Sequence, residues 1–240
     1  MSHAHFQHSG SADDAAQARM LARIRRALGR RDDEPPSPPP PPPEVDAELV
    51  RLARGDDPAA LLEVFTRAAA EVGTEVIAIR AEELAQRLTM RLHQWQASDI
   101  ILPATHRWQA IAQDLGKEGF SVLDWQGGDG EAAVFNADAG LTGVTAAIAE
   151  TGTLVIDSSP AQPRSLSLVP PYHLAVLNVE RLIADMADLF NVSATSSAAP
   201  AALPSERVLI TGPSKTADIE GVLVKGVHGP GQVCCMVVVG

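Results

Sequence analysis

The chain has 240 residues, 45% of them hydrophobic and 20% charged, which describes a soluble globular protein with room for one generous core or two small ones. Nineteen basic residues stand against 30 acidic ones; the first 31 residues hold six arginines and only Asp13 and Asp14, so the remainder carries −15 and repels a phosphate backbone. Five Phe, three Trp and one Tyr are too few for a base-stacking platform. No apolar run approaches the ~18 residues that cross a bilayer, and the polar start lacks a signal peptide's apolar stretch, so the expectation is a cytoplasmic chain without membrane insertion.

His3, His5 and His8 fall in a polar head that reads as a mobile terminus, with stray metal binding the alternative. From Ala15 to Leu28 the apolar residues recur at helical spacing, arginines fill the other face, and Gly29 is a plausible C-cap. Pro35 to Pro43, broken only at Ser37, predicts a stiff polyproline tether. Residues 1–43 are therefore read as head, basic helix and linker, and 44–240 as the body. Helices are expected over Pro58–Val72, Ala81–Trp95 and Trp108–Leu115, and strands over Glu75–Ile79, Asp99–Leu102 and Phe120–Leu123. This alternation predicts an α/β fold, an open wound, mostly parallel sheet with strands buried on both faces.

In the second half, apolar segments at 144–149 and 153–156 flank Glu150-Thr151-Gly152, a hairpin signature. A strand entry follows in 166–177, then a helix over Glu180–Phe190, a loop over Val192–Leu203, a strand over Arg207–Thr211 and a core strand in Cys234–Val239. Cys234 and Cys235 are the only cysteines. Neighbours on a strand point to opposite faces, and two thiols cannot supply a four-cysteine zinc or iron–sulfur site, so no metal or cofactor is expected on this chain.

Three polar loops are candidates for chemistry. Glu150, Thr151, Gly152 and Thr153 combine a carboxylate, hydroxyls and a glycine that permits close backbone approach, although any tight turn favours this composition. In Ser158–His173, Arg164 could fork onto an anion, and Pro170-Pro171 fixes Tyr172 and His173; His173 could move protons, or simply be a satisfied histidine at a strand entry. The third loop holds Gly212, Ser214, Thr216, Asp218 and Glu220, followed by His228 and Gly229. Its hydroxyls and N–H groups are expected at the carboxyl edge of the sheet, together with His173 and the Glu150 turn, while Asp218 and Glu220 could equally face water. Arg164 is expected to be the main anion contact, since no acid neighbours it in sequence. No nucleophile elbow, zinc-protease helix or dinucleotide glycine fingerprint is present.

IAETGTLVI (148–156), SLVPPYHLAVL (167–177) and GPSKTADIEGVLVKGVHGPGQV (212–233) together resemble the lactate utilization protein C family of LUD-domain proteins, and RIRRALGR (23–30) resembles that family's N-terminal helix. The resemblance implies a sheet similar to the isomerase, CoA-transferase and formyltetrahydrofolate cyclo-ligase superfamily. It also implies a role in oxidising L-lactate to pyruvate with iron–sulfur lactate utilization proteins as partners, which would carry the clusters. Catalytic candidates are Glu150, His173 and His228. Residues expected around a small anionic ligand are Thr151, Gly152, Thr153, Arg164, Tyr172, Gly212, Ser214, Thr216, Asp218, Glu220 and Gly229. An accessory or ligand-binding subunit is the leading expectation; a free-standing transferase or isomerase using Glu150 as nucleophile or base is the alternative.

Overall fold

The computed structural model describes residues 10–30, 57–127, 130–195, 204–216 and 224–240. The histidine head, the polyproline run, Asp218 and Glu220 lie outside the described residues. The chain divides into two compact units, Met1–Val45 and Asp46–Gly240. In the first, helix α1 (Gly10–Ala27) has Arg25 and Arg26 in its last turn, where cations offset the helix dipole, and ends as Gly29 turns to φ 66°.

The second unit begins with α2 (Pro58–Val72). Asp57 accepts a hydrogen bond from the Ala59 N–H, Pro58 occupies the first turn where no donor is missed, and Gly73 at φ 94° closes the helix in the left-handed conformation. Strand β1 (Thr74–Ile79) follows at once. Next come a short 3-10 turn, α3 (Leu84–Gln94), β2 (Asp99–Ile101), α4 (His106–Lys117) and β3 (Ser121–Val122). The sequence predicts no element between Leu123 and Val144, yet α5 (Gly130–Asn136) and β4 (Ala139–Gly143) form there. Strand β4 carries too few β-branched residues to announce itself. It needs Gly140, because a Cβ there would lie 1.8 Å from the Leu166 carbonyl oxygen.

The remaining strands are β5 (Ala146–Ile148), β6 (Thr153–Asp157), β7 (Tyr172–Asn178), β8 (Leu182–Ile183), β9 (Arg207–Ile210), β10 (Lys215–Thr216), β11 (Val224–Lys225) and β12 (Gln232–Val238). A four-residue helix, α6 (Ser165–Leu168), occupies what the sequence suggests as the approach to β7. The helix expected over Glu180–Phe190 is a 3-10 turn at Val179–Arg181, then β8, and only then α7 (Met186–Thr195). Leu182 and Ile183 are taken by pairing with Ala147 and Ile148, and the Asp185 carboxylate restarts the helix by accepting the Asp188 N–H.

Six strands form a wholly parallel sheet in the order β3-β2-β4-β7-β12-β1. On one face α3 and α4 bury Leu88, Leu92, Trp108 and Leu115 against Ile100, Leu141, Leu174 and Met236. On the other face Leu61, Phe65 and Ala69 of α2, together with Ala147 and Leu154, cover Ala175, Leu177 and Val237. The covering layer includes a second sheet, β8-β5-β6-β9, in which β6 runs antiparallel to both neighbours. Cys234 belongs to the first core and Cys235 to the second. Burial pushes the Cys234 thiol up to about 12 and raises that of Cys235 as well, so both are unreactive packing residues.

Candidate functional site

The direction of one hairpin decides which loops can meet. Beyond β4, the chain leaves the carboxyl end of the parallel sheet at Val144, whose N–H bonds to the Val176 carbonyl, and β5 runs back over the sheet face. Strand β6 returns and β9 runs back again, antiparallel to it. The Glu150 turn and the segment after β9 therefore reach the amino ends of the parallel strands, where α2 passes into β1. Gly152 presses on this helix end: a Cβ there would stand 2.3 Å from the Ala69 nitrogen. Gly212 approaches equally closely, 2.4 Å from the Val72 carbonyl oxygen by the same measure. Tyr172 and His173 open β7, and His228 and Gly229 precede β12. The carboxyl-edge expectation is thus corrected: these loops sit at the amino edge.

Hydrogen bonds knit them. Thr151 Oγ1 lies 2.7 Å from Thr153 Oγ1, which lies 2.8 Å from Thr211 Oγ1, a chain of hydroxyls running from the Glu150 turn to Gly212. The Ser214 N–H donates to the Pro230 carbonyl at 2.8 Å, and the His228 N–H reaches Ser214 Oγ at 3.4 Å. Gly231 donates to Pro171 at 2.9 Å, and Gly229 packs near Ser214. Thr216 pairs with Val224 across the β10–β11 ribbon. The Glu150 and His228 side chains are exposed and have no partner among the described residues.

Tyr172 and His173 part company because successive residues of a strand face opposite ways. Tyr172 lies on the α3 side, stacked on Trp95 at 5.0 Å and 11°. The Arg91 guanidinium sits 5.6 Å from the Trp95 ring and is bonded to Glu75. His173 is wholly buried, with Nε2 2.8 Å from Thr142 Oγ1 and Nδ1 without a hydrogen-bond partner. Burial lowers its pKa to about 4, so the ring is neutral near pH 7.

Arg164 is not part of this assembly. It holds the position before α6 and turns its guanidinium away from the loops, donating to Glu206 at 2.5 Å beside the end of β6 that lies opposite the Glu150 turn, both side chains being exposed. The acid missing from its sequence neighbourhood is supplied by the residue preceding β9.

A cavity of about 420 Å3 opens at the amino ends of β1 and β12, lined by Gly73, Glu75, Trp95, Pro213, Lys225, Gly231, Gln232 and Val233. Sequence reasoning missed Glu75, Trp95, Lys225 and Gln232. One signal was available: Glu75 is the single charge in the apolar segment EVIAI. Lys225 lies within the third motif but carries no spacing that marks it. Among the described residues, no three His, Cys, Asp or Glu side chains are grouped so as to hold a metal ion.

An open, fully parallel sheet with helices on one face and a helix plus a returning hairpin sheet on the other defines an α/β domain with its polar loops gathered at one edge. A family model described as the LUD domain matches residues 62–238, from within α2 to the end of β12, and the chain belongs to that family. It is 31% identical to lactate utilization protein C of Halalkalibacterium halodurans over 74% of this chain and 79% of that protein. It is 29% identical to the lactate utilization protein C of an Exiguobacterium species over 91% and 94% of the two chains. The crystal structure of a DUF162 family protein from Deinococcus radiodurans superposes with a TM-score of 0.55 at 26% identity, covering 76% of this chain and 99% of that one. Among the described residues no helix is long and apolar enough to cross a membrane.

Proposed function

We propose that this chain is an accessory, ligand-binding component of an L-lactate-oxidising system, acting with iron–sulfur partner proteins in the conversion of lactate to pyruvate. The observation that carries this reading is the similarity of nearly the whole body to relatives named lactate utilization protein C. Lactate oxidation releases two electrons, which need a redox acceptor. This chain has only two cysteines, buried on opposite sides of one sheet, a donor set too small and too divided for a four-cysteine cluster. The division of labour proposed is therefore electron transfer in the partners and ligand capture at the amino edge of this chain.

The test has two arms. Deleting the gene should abolish growth on L-lactate and leave growth on pyruvate intact; unchanged growth on lactate would refute the role. The purified chain should fail to reduce an artificial acceptor with L-lactate until the partner proteins are added. Turnover by the chain alone would instead favour a transferase- or isomerase-type enzyme, with the exposed Glu150 beside the Thr151–Thr153–Thr211 hydroxyls as its nucleophile or base.

A further inference from the structure

The amino-edge cavity has a charge arrangement that packing does not require. In the β10–β11 ribbon, Lys215 stands directly opposite Lys225, and like charges in that relation destabilise a strand pair. Lys215 is compensated: its ammonium donates to the Val72 carbonyl at 2.6 Å, at the carboxyl end of α2, where a cation is favoured. Lys225 has no such compensation. It lines the cavity with no carboxylate partner among the described residues, in a body whose overall charge is strongly negative.

Glu75 lines the same space, and its carboxylate is fixed by Arg91, which is itself held over the Trp95 ring. Gln232 adds an amide able both to donate and to accept, and Trp95, Pro213 and Val233 add apolar wall. A simple anion would meet Lys225 favourably but leave Glu75 unused, while Glu75, its charge already offset by Arg91, offers an acceptor to a neutral donor rather than a seat for a cation. A small molecule with a carboxylate at one end and a hydroxyl donor beside it satisfies both. We propose that this cavity is a binding site for a small hydroxycarboxylate, whose carboxylate pairs with Lys225 and whose hydroxyl donates to Glu75, in a space that the Gln232 amide also lines. The choice of lactate as the probe rests on the lactate-utilization reading; the charge arrangement itself does not.

The test titrates the full chain with L-lactate, with propionate, which has the carboxylate but no hydroxyl, and with inorganic phosphate, followed by backbone and indole NMR shifts. L-Lactate should move the Lys225, Gln232 and Trp95 signals and bind about tenfold tighter than propionate, a difference of about 1.4 kcal/mol. Lys225→Met should weaken lactate binding at least about tenfold with a melting temperature that does not fall, because this lysine is exposed and its removal relieves the repulsion from Lys215. Glu75→Leu should bring lactate and propionate to within about twofold of each other, since the hydroxyl then has no acceptor while the loss of the Arg91 pair touches both carboxylates alike. Lactate binding that is absent, unaffected by Lys225→Met, mapped to other residues or matched by phosphate would overturn the site. The role and the site fail separately. A deletion strain that grows normally on lactate, with binding still dependent on Lys225, removes the role and keeps the site. A deletion strain that cannot grow, with lactate binding indifferent to Lys225, does the reverse.

Discussion

At the carboxyl edge of the parallel sheet the polar groups are spent on one another, whereas at the amino edge several face outward. The Gln162 side chain holds both the N–H and the carbonyl of Gly143, at 2.9 and 3.0 Å. Arg207 forks onto Asp157 at 2.6 and 2.9 Å, Arg164 takes Glu206, and Thr145 Oγ1 accepts the Asp157 N–H. At the amino edge, Glu150, Lys225 and His228 have side chains without partners among the described residues, and Lys225 lines the cavity there with Gly73, Pro213 and Gly231. Open α/β sheets ordinarily receive ligands at the carboxyl ends of their strands. Here a hairpin laid back across one face closes that end with ion pairs and carries its own turn to the opposite edge. The edge available to a ligand is thus set by the direction of the crossing segment as well as by the polarity of the sheet.

The largest effect should come from prying the turn off its helix. Gly152 combines φ 65° with a Cβ position 2.3 Å from the Ala69 backbone nitrogen, while Gly119 has φ 93° with open space around it. Gly152→Ala should cost about 3 kcal/mol or more, whereas Gly119→Ala should cost only the left-handed backbone penalty of about 1–2 kcal/mol. Urea unfolding of both variants checks the contrast; equal losses would mean that the turn is not pinned to α2.

His173 gives the next effect, and it depends on pH. Its pKa is lowered to about 4 in the folded chain from an ordinary value of 6.5. Above pH 6.5 the ring is neutral in both states and costs nothing. Between pH 6.5 and 4 the unfolded chain binds a proton that the folded chain refuses, so stability falls as pH drops. The total loss is about 3 kcal/mol, complete once the pH is below about 4. Unfolding of the wild type and of His173→Gln at pH 7.5 and 4.5 isolates this contribution from that of the carboxylates. The same acid sensitivity in both proteins would show that His173 is not the group responsible.

Much of the sheet was legible because its strands are continuous apolar runs. CCMVVV is buried on both faces as its apolar run requires, EVIAI forms a strand but at the sheet edge with Glu75 and Ala78 exposed, and Asp57-Pro58 with Gly73 brackets α2 by its caps. The Glu150-Thr151-Gly152 hairpin was legible from its alternation. Strand β4 was hidden because close passage of Leu166 demands Gly140 where a β-branched residue would have signalled a strand. The segment after Asn178 misled because Leu182 and Ile183 fit a helical period equally well, and only their pairing with β5 decides against it. At the site, the three loops were visible as composition but their edge was not, since no local pattern records which way a hairpin crosses a sheet. Lys225 and Glu75 lie about 150 residues apart in sequence, and only the pairing of β1 with β12 brings their neighbourhoods together.

A moderate effect should follow from opening the carboxyl edge. The Arg207–Asp157 fork has both side chains roughly three-quarters buried, and the Asp157 carboxylate raises the Arg207 pKa through its hydrogen bond. Asp157→Asn keeps the size but removes the charge-assisted pair, and should cost about 1–2 kcal/mol in denaturant midpoint measurements. It should leave the amino-edge NMR signals unmoved. Shifts at Lys225 or Gln232 in this variant would show that the two edges are coupled.

The smallest effect is expected at the residue that the sequence ranked highest for anion binding. Arg164 is 60% exposed on its side chain and Glu206 40%, and pairs so open to water contribute little, because screening and side-chain entropy cancel most of the attraction. Arg164→Ala should therefore change stability by no more than about 0.5 kcal/mol. It should also leave any small-anion binding at the amino edge unchanged, since its guanidinium is committed to Glu206 at the end of β6 and β9 remote from the Glu150 turn. Thermal melts and an L-lactate titration of this variant beside Lys225→Met decide which cation serves the ligand. If Arg164→Ala weakened binding and Lys225→Met did not, the carboxyl edge would be the functional one and its ion pairs would be a closed gate to the ligand.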